Sequence, residues 1–205
     1  MPQPLSRVLP NVGGLEIGNV GTRTLTQRPE LALMAMEAIA TWSHVENFML
    51  RMYVELAGGA GADAAAVYLA METATAKSAA ISVLAARKLT PENQRLLRAI
   101  IKLVKTAQKD RDKLAHWVWG LSPDLPDALL LLDPRSLSSS HDQIYVYRSQ
   151  DFQAMRQRFE SLAKHSHLFW FILQNHVANR ELQLYERLCQ VPEIAEILDR
   201  QAQQG

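Results

Sequence analysis

The chain has a single cysteine, Cys189, in 205 residues, so no intramolecular disulfide can form and a reducing, intracellular setting is the expected home. Nor does any apolar run approach the roughly 18 to 20 residues that span a bilayer, and the N-terminus lacks the basic, then apolar, then small-residue order of a signal peptide. These absences predict a cytoplasmic protein with no membrane partner. Excess charge is missing too: 22 Lys and Arg stand against 21 Asp and Glu, a formal net charge of +1. Tight nonspecific nucleic-acid binding needs many phosphate-neutralising cations, so any RNA contact has to be local. Neither a Gly-rich phosphate loop nor a Gly-x-Ser-x-Gly elbow nor a Cys-x-x-Cys pair is present, and Cys189 sits in no nucleophile motif. His165, His167 and His176 stand at offsets of two and nine, not at the i, i+4 spacing that chelates from one helix face, so neither a metal nor another cofactor is expected.

What the chain does contain is helical periodicity. Residues 1 to 28, with Pro2, Pro4, Pro10 and glycines Gly13, Gly14, Gly18 and Gly21, read as an extended or mobile arm, followed by one domain over 29 to 205. Pro29-Glu30 opens a helix, because proline lacks only a donor that would be unsatisfied there and glutamate suits the positive helix end. Leu31, Ala35, Ala38, Trp42, Val45, Met49, Met52 and Leu56 then recur at spacings of four and three up to Gly58. An Ala-rich helix is predicted over 63 to 88, and Thr90-Pro91 caps a third over 91 to 119 that is apolar on two stripes. A non-helical excursion over 121 to 149 carries Ala128 to Leu132 and Gln143 to Tyr147, which can pair as a small hairpin. A long helix over 151 to 178 and two shorter helical stretches, 179 to 189 and beyond Pro192, complete the chain. The fold class expected is therefore all-α: an antiparallel up-and-down helical bundle with a small hairpin or loop insertion before the last long helix.

One polar cluster interrupts this apolar pattern: Lys109-Asp110-Arg111-Asp112-Lys113-Leu114-Ala115-His116-Trp117-Val118-Trp119-Gly120. At about 100° per residue, His116 shares a face with Asp112, Lys109, Lys105, Lys102 and Arg98. Asp112, one turn before His116, can fix the imidazole tautomer and leave the other nitrogen for proton transfer. RNA cleavage needs such a group for the 2′-hydroxyl proton and a cation over the phosphate, for which the planar Arg fork is suited. Arg111, however, lies about 140° around the helix from His116, in line with Leu97, Ile101 and Val104. Either its long side chain curls back or the same helix of a second subunit completes the pair. Other readings of these residues stay open: Lys102, Lys105 and Lys109 as a solvated face, Asp112 and His116 as a surface helix pair, Arg111 as an ion-pair residue for Glu46, and Trp42, Trp117 and Trp119 as core and interface anchors.

Arg111-Asp112 followed by His116 resembles the signature of the HEPN superfamily (higher eukaryotes and prokaryotes nucleotide-binding domains), in which an Arg and a polar residue precede a His by four to six positions. Trp42-Ser43-His44-Val45-Glu46 looks like the opening helix of bacterial members, so the resemblance covers roughly residues 29 to 178. It implies a HEPN-like helical bundle and a metal-independent endoribonuclease working in a composite homodimer cleft, with Arg111, Asp112 and His116 catalytic and Lys102, Lys105 and Lys109 binding RNA. A toxin or phage-defence role, with a cognate antitoxin or defence-system partner, goes with that family. The alternative is a noncatalytic helical interaction or RNA/nucleotide-binding module.

Overall fold

The computed structural model describes residues 2–9, 22–58, 61–134, 143–174 and 178–203. The chain is mostly helical with a small antiparallel sheet, and it divides into two compact units. The first comprises 1–42 with 107–159, the second 43–106 with 160–205. Three long helices contribute residues to both: α3 (Pro29–Ala57), α6 (Pro91–His116) and α7 (Ser149–Gln174).

The first unit is built on a sheet in the order β1-β4-β3-β2, antiparallel throughout. Strands β3 (Ala128–Leu132) and β4 (Ile144–Arg148) are the expected hairpin, with Leu130 opposite Val146 and Leu129 opposite Tyr147. Every residue of β3 is buried, as an unbroken apolar run requires when both sheet faces are covered. One face packs Ala128, Leu130, Leu132 and Val146 against Leu5 and Leu125. The other carries Leu129, Leu131, Tyr145 and Tyr147, and Phe152 of α7 stacks on Tyr147 with centroids 5.6 Å apart. Asp151, in the first turn of α7, accepts a hydrogen bond from the Arg148 N–H at 3.0 Å, reaching back as a capping-box residue does.

Several expectations change. The third helix ends at His116, not at 119, because Val118–Gly120 forms β2, which pairs with Leu130 to Leu132. The chain is mostly helical, as the all-α expectation has it, and the small insertion before the last long helix is part of a four-stranded antiparallel sheet. Part of the presumed N-terminal arm also belongs to the fold: β1 (Gln3–Pro4) pairs with β4, α1 (Leu5–Val8) buries Leu5 completely, and α2 (Thr22–Thr26) follows. Backbone pairing leaves no side-chain period to read, and a proline is tolerated on so short an edge strand. Residues 10–21, the serine run 136–140 and His176 lie outside the described residues.

In the second unit the helix expected over 63 to 88 is two, α4 (Gly61–Leu69) and α5 (Ala74–Lys88). Thr73, in extended geometry, caps α5 by accepting the Ala76 N–H at 3.1 Å, and a carbonyl cannot continue the helix through such a residue. Gly58 closes α3 with φ +64°, and a Cβ there would stand 2.6 Å from Lys88 Nζ. Tyr53 and Tyr68 pack at 5.1 Å, and burial, then the charge of Glu46, pushes the Tyr68 hydroxyl up to about 12. Met52, Ile81, Leu96, Ile100, Phe169 and Leu188 are fully buried, while α8 (Ala178–Cys189) and α9 (Pro192–Ala202) end the chain.

The buried N-terminus is testable. Leu5→Ala removes a completely enclosed side chain and is expected to cost about 2–5 kcal/mol. The measurement is the urea midpoint at unchanged slope. A loss below about 0.5 kcal/mol would mean that residues 3–9 form a free arm after all.

Candidate functional site

The motif occupies the last two turns of α6, where the helix hands over to the sheet of the first unit. Asp110 points into that unit: its carboxylate takes Arg158 Nη2 of α7 at 2.7 Å and lies 3.7 Å from Lys113 Nζ. Lys113 Nζ stands 5.3 Å from the Trp117 ring centroid and 5.1 Å from that of Tyr145 on β4, so cation–π attraction ties the helix end to the strand. Leu114 is buried beneath it. These contacts involve no expected site residue, yet they set the position of all three.

Arg111 is half-buried. Its guanidinium carbon stands 6.0 Å from the ring centroid of Trp42, itself a core residue packed edge-on against Phe159 at 5.0 Å. Nη1 donates to Asp112 Oδ1 at 3.1 Å. Asp112 was expected to orient His116, but its carboxylate turns to the neighbouring arginine instead. The guanidinium, planar and permanently charged, offers this carboxylate a charge-assisted bond from the next residue along the chain. No hydrogen bond or ion pair among the described residues joins His116 to Asp112 or Arg111, and the imidazole is exposed on the last residue of the helix.

Lys109, in the first unit, is exposed; so are Lys102 and Lys105, which belong to the stretch of α6 in the second. The apolar stripe that aligns with Arg111 is enclosed within one chain, with Leu97, Ile101 and Val104 at 1%, 5% and 6% exposure. A second copy has no access to it. Ala115, one residue before His116, is exposed. Trp42 is the core anchor that one reading anticipated, whereas Trp117 and Trp119 are partly exposed beside the sheet. A small cavity of 80 Å³ lined by Met34, Glu37, Phe152, Gln153 and Arg156 includes none of the motif residues.

Sequence reasoning missed Asp110, Arg158 and Tyr147. Asp110 could have been flagged by its place beside Arg111; its partner Arg158 is supplied by another helix and carries no local signal. Tyr147 is wholly buried, and its hydroxyl has no hydrogen-bond partner among the described residues. Burial first, then the negative charges of Asp110 and Asp151, drives its ionisation far above the ordinary 10.0, with Arg158 opposing. Of the histidines once weighed as metal ligands, His165 is half-buried and is kept neutral by burial, while His167 lies in a ring stack with Phe48.

Chemically, the helix end offers an exposed imidazole, an exposed ammonium at Lys109 and a guanidinium oriented by Trp42 and Asp112. Such a set can exchange protons and hold an anion.

Tyr147 generates a prediction with a defined sign. The folded chain keeps this phenol protonated where the unfolded chain loses its proton near 10.0, so the stability it contributes is complete below that pH and declines as pH rises above it. Tyr147→Phe is expected to flatten that alkaline decline. At neutral pH it should leave stability unchanged or raise it, with the penalty for an unpaired buried hydroxyl, about 1–3 kcal/mol, as the ceiling. Urea titrations of both chains at neutral and alkaline pH decide; a clear loss at neutral pH would mean the hydroxyl is paired.

No family model, no curated protein and no solved structure matches the chain, so the HEPN resemblance rests on the residues quoted for it.

Proposed function

We propose that this chain is a metal-independent endoribonuclease of HEPN type, acting as a homodimer in the manner of toxin or phage-defence effectors. The observation that carries the reading is the exposed imidazole of His116 at the end of α6, with no hydrogen bond among the described residues and five residues beyond an arginine whose guanidinium carbon lies 6.0 Å from the Trp42 ring centroid. In this reading His116 is the general base or acid. It takes the ribose 2′-hydroxyl proton as that oxygen attacks the adjacent phosphorus, or returns a proton to the departing 5′-oxygen. Arg111 neutralises the charge that builds on the phosphoryl oxygens. Asp112 orients the guanidinium instead of the imidazole, and Lys109 holds a neighbouring phosphate, with Lys102 and Lys105 as further RNA contacts. Because Leu97, Ile101 and Val104 are enclosed, the two copies of a composite cleft would meet through the exposed end of α6, around Ala115 and His116.

The Arg111–Asp112 pair favours a second reading, in which the motif is structural and the chain is a noncatalytic helical interaction or RNA/nucleotide-binding module. An arginine stacked on a core tryptophan and bonded to its own neighbour is an ordinary way to close a helix end.

Cleavage separates the two. Purified chain in EDTA is expected to cut single-stranded RNA, to leave a 2′,3′-cyclic phosphate or its opened product, and to spare DNA, which lacks the attacking hydroxyl. His116→Ala should lower the rate by roughly 10²- to 10⁴-fold with the circular dichroism spectrum unchanged. Arg111→Lys should also slow cleavage, because a point charge does not reproduce a bidentate fork. Wild-type chain that sediments as a monomer and cuts no RNA would leave the second reading.

A further inference from the structure

The second unit gathers four aromatic rings at its surface. Phe48 of α3 stacks on His167 of α7 with centroids 4.4 Å apart and planes inclined by 18°, and Phe171 stands on His167 at 4.5 Å. Trp170 completes the group, 5.3 Å from Phe171 and 5.9 Å from His167. Core rings of the same chain, such as Phe169, have no exposure at all, whereas Phe171 is 38% exposed and the other three are partly open. Single exposed apolar side chains are ordinary; a column of rings is not, since each adds apolar surface that the fold had the means to bury.

A cation is fixed to the same group. The guanidinium carbon of Arg51 lies 5.0 Å from the Trp170 ring centroid and 5.9 Å from that of Phe48, and Nε donates to Asn47 Oδ1 at 2.8 Å. Asn47 is neutral, so this bond orients the guanidinium without cancelling its charge. Among the described residues no carboxylate pairs with Arg51; even Glu55, one turn further along α3 and exposed, does not. Burial and the charge of Arg51 keep His167 on the neutral side, so the column remains an aromatic surface beside a single fixed positive charge.

A ligand that matches must be flat and aromatic, with an anion a short step away. Of protein partners, an apolar peptide would leave Arg51 desolvated and unpaired, which is costly. A chain of nucleotides meets both demands in every repeat. We propose that Phe48, His167, Trp170 and Phe171, with Arg51, form a stacking platform for single-stranded nucleic acid: an unpaired base extends the ring column and Arg51 takes the adjoining phosphate. The platform lies wholly within the second unit and depends on no cleavage chemistry.

The test is the anisotropy of a fluorescein-labelled single-stranded deoxythymidine oligomer of about a dozen nucleotides, titrated with the full chain in EDTA. Lacking a 2′-hydroxyl, the probe reads binding apart from cutting. Saturable binding that weakens with salt is expected. Phe171→Ala should weaken it about 5- to 150-fold, the range for loss of one base-stacking ring, and Arg51→Ala should weaken it while flattening the salt dependence by about one phosphate contact. Circular dichroism checks that the fold survives these changes; Trp170→Ala extends the series. The proposal is overturned by no saturable binding, by equal binding of a blunt duplex, or by unaltered affinity in both variants. It is equally overturned if the wild-type chain is a dimer that Phe171→Asp splits, since the rings then serve a copy of the chain. A protein that binds this DNA and cuts no RNA removes the ribonuclease reading alone, and one that cuts RNA yet ignores the probe removes the platform alone.

Discussion

The first unit depends on a junction with almost no slack: α6 ends at His116 and β2 begins at Val118. β2 is registered residue by residue on β3, whose five side chains are all buried. A strand enclosed on both faces cannot slip, because a shift of one residue exchanges the side chains of its two faces. The end of α6 is therefore anchored by the sheet, and the sheet in turn by Leu5 and Leu125 on one side and Phe152 on the other. Lys113, set between the rings of Trp117 and Tyr145, and Asp110, bonded to Arg158, pin the helix from two further directions. The backbone at His116 is in this way held between the last turn of α6 and the first residue of β2.

Legibility in the sequence followed how local each determinant was. Pro29-Glu30 and Thr90-Pro91 mark the starts of α3 and α6, since capping is settled within one turn; the Asn93 N–H does reach Thr90 Oγ1, at 3.4 Å. The two hairpin strands were visible because apolar and β-branched residues lie between prolines and serines. The break between α4 and α5 was not: alanines on either side favour helix through positions 70 to 73, and a lone Thr73 that caps one helix looks like any helical threonine. β2 was hidden for the opposite reason, since Trp117 to Gly120 continues the helical apolar pattern and becomes a strand only because β3 offers an unpaired edge. Pairing of Gln3–Pro4 with β4 spans most of the chain and leaves no trace in side-chain period.

In the candidate site, angular arithmetic on α6 separated Arg111 from His116, and the structure keeps these two without a bond. What arithmetic could not supply was the competition for Asp112. Position i+4 places His116 within reach, but adjacent Arg111 brings full charge and several donors, and its stem is steadied by Trp42 from α3. The apolar stripe beside Arg111 has two possible covers, another chain or more of its own. Here its own chain covers it, as the exposures of Leu97, Ile101 and Val104 require.

Whether the Arg111–Asp112 pair closes the site is a question of magnitude. With side-chain exposures of 23% and 43%, the pair is of the surface kind, for which net contributions of about 0.2–1 kcal/mol are usual. A hydrogen bond from a guanidinium to a charged acceptor contributes about 1.5–3 kcal/mol, and a phosphate accepts two such bonds from one planar fork. Asp112 already accepts one bond of that kind from Nη1 at 3.1 Å, so an anion differs from it only by the second donor of the fork. So weak a pair does not by itself keep an arginine half-buried at this position, and the Trp42 ring adds cation–π attraction to it.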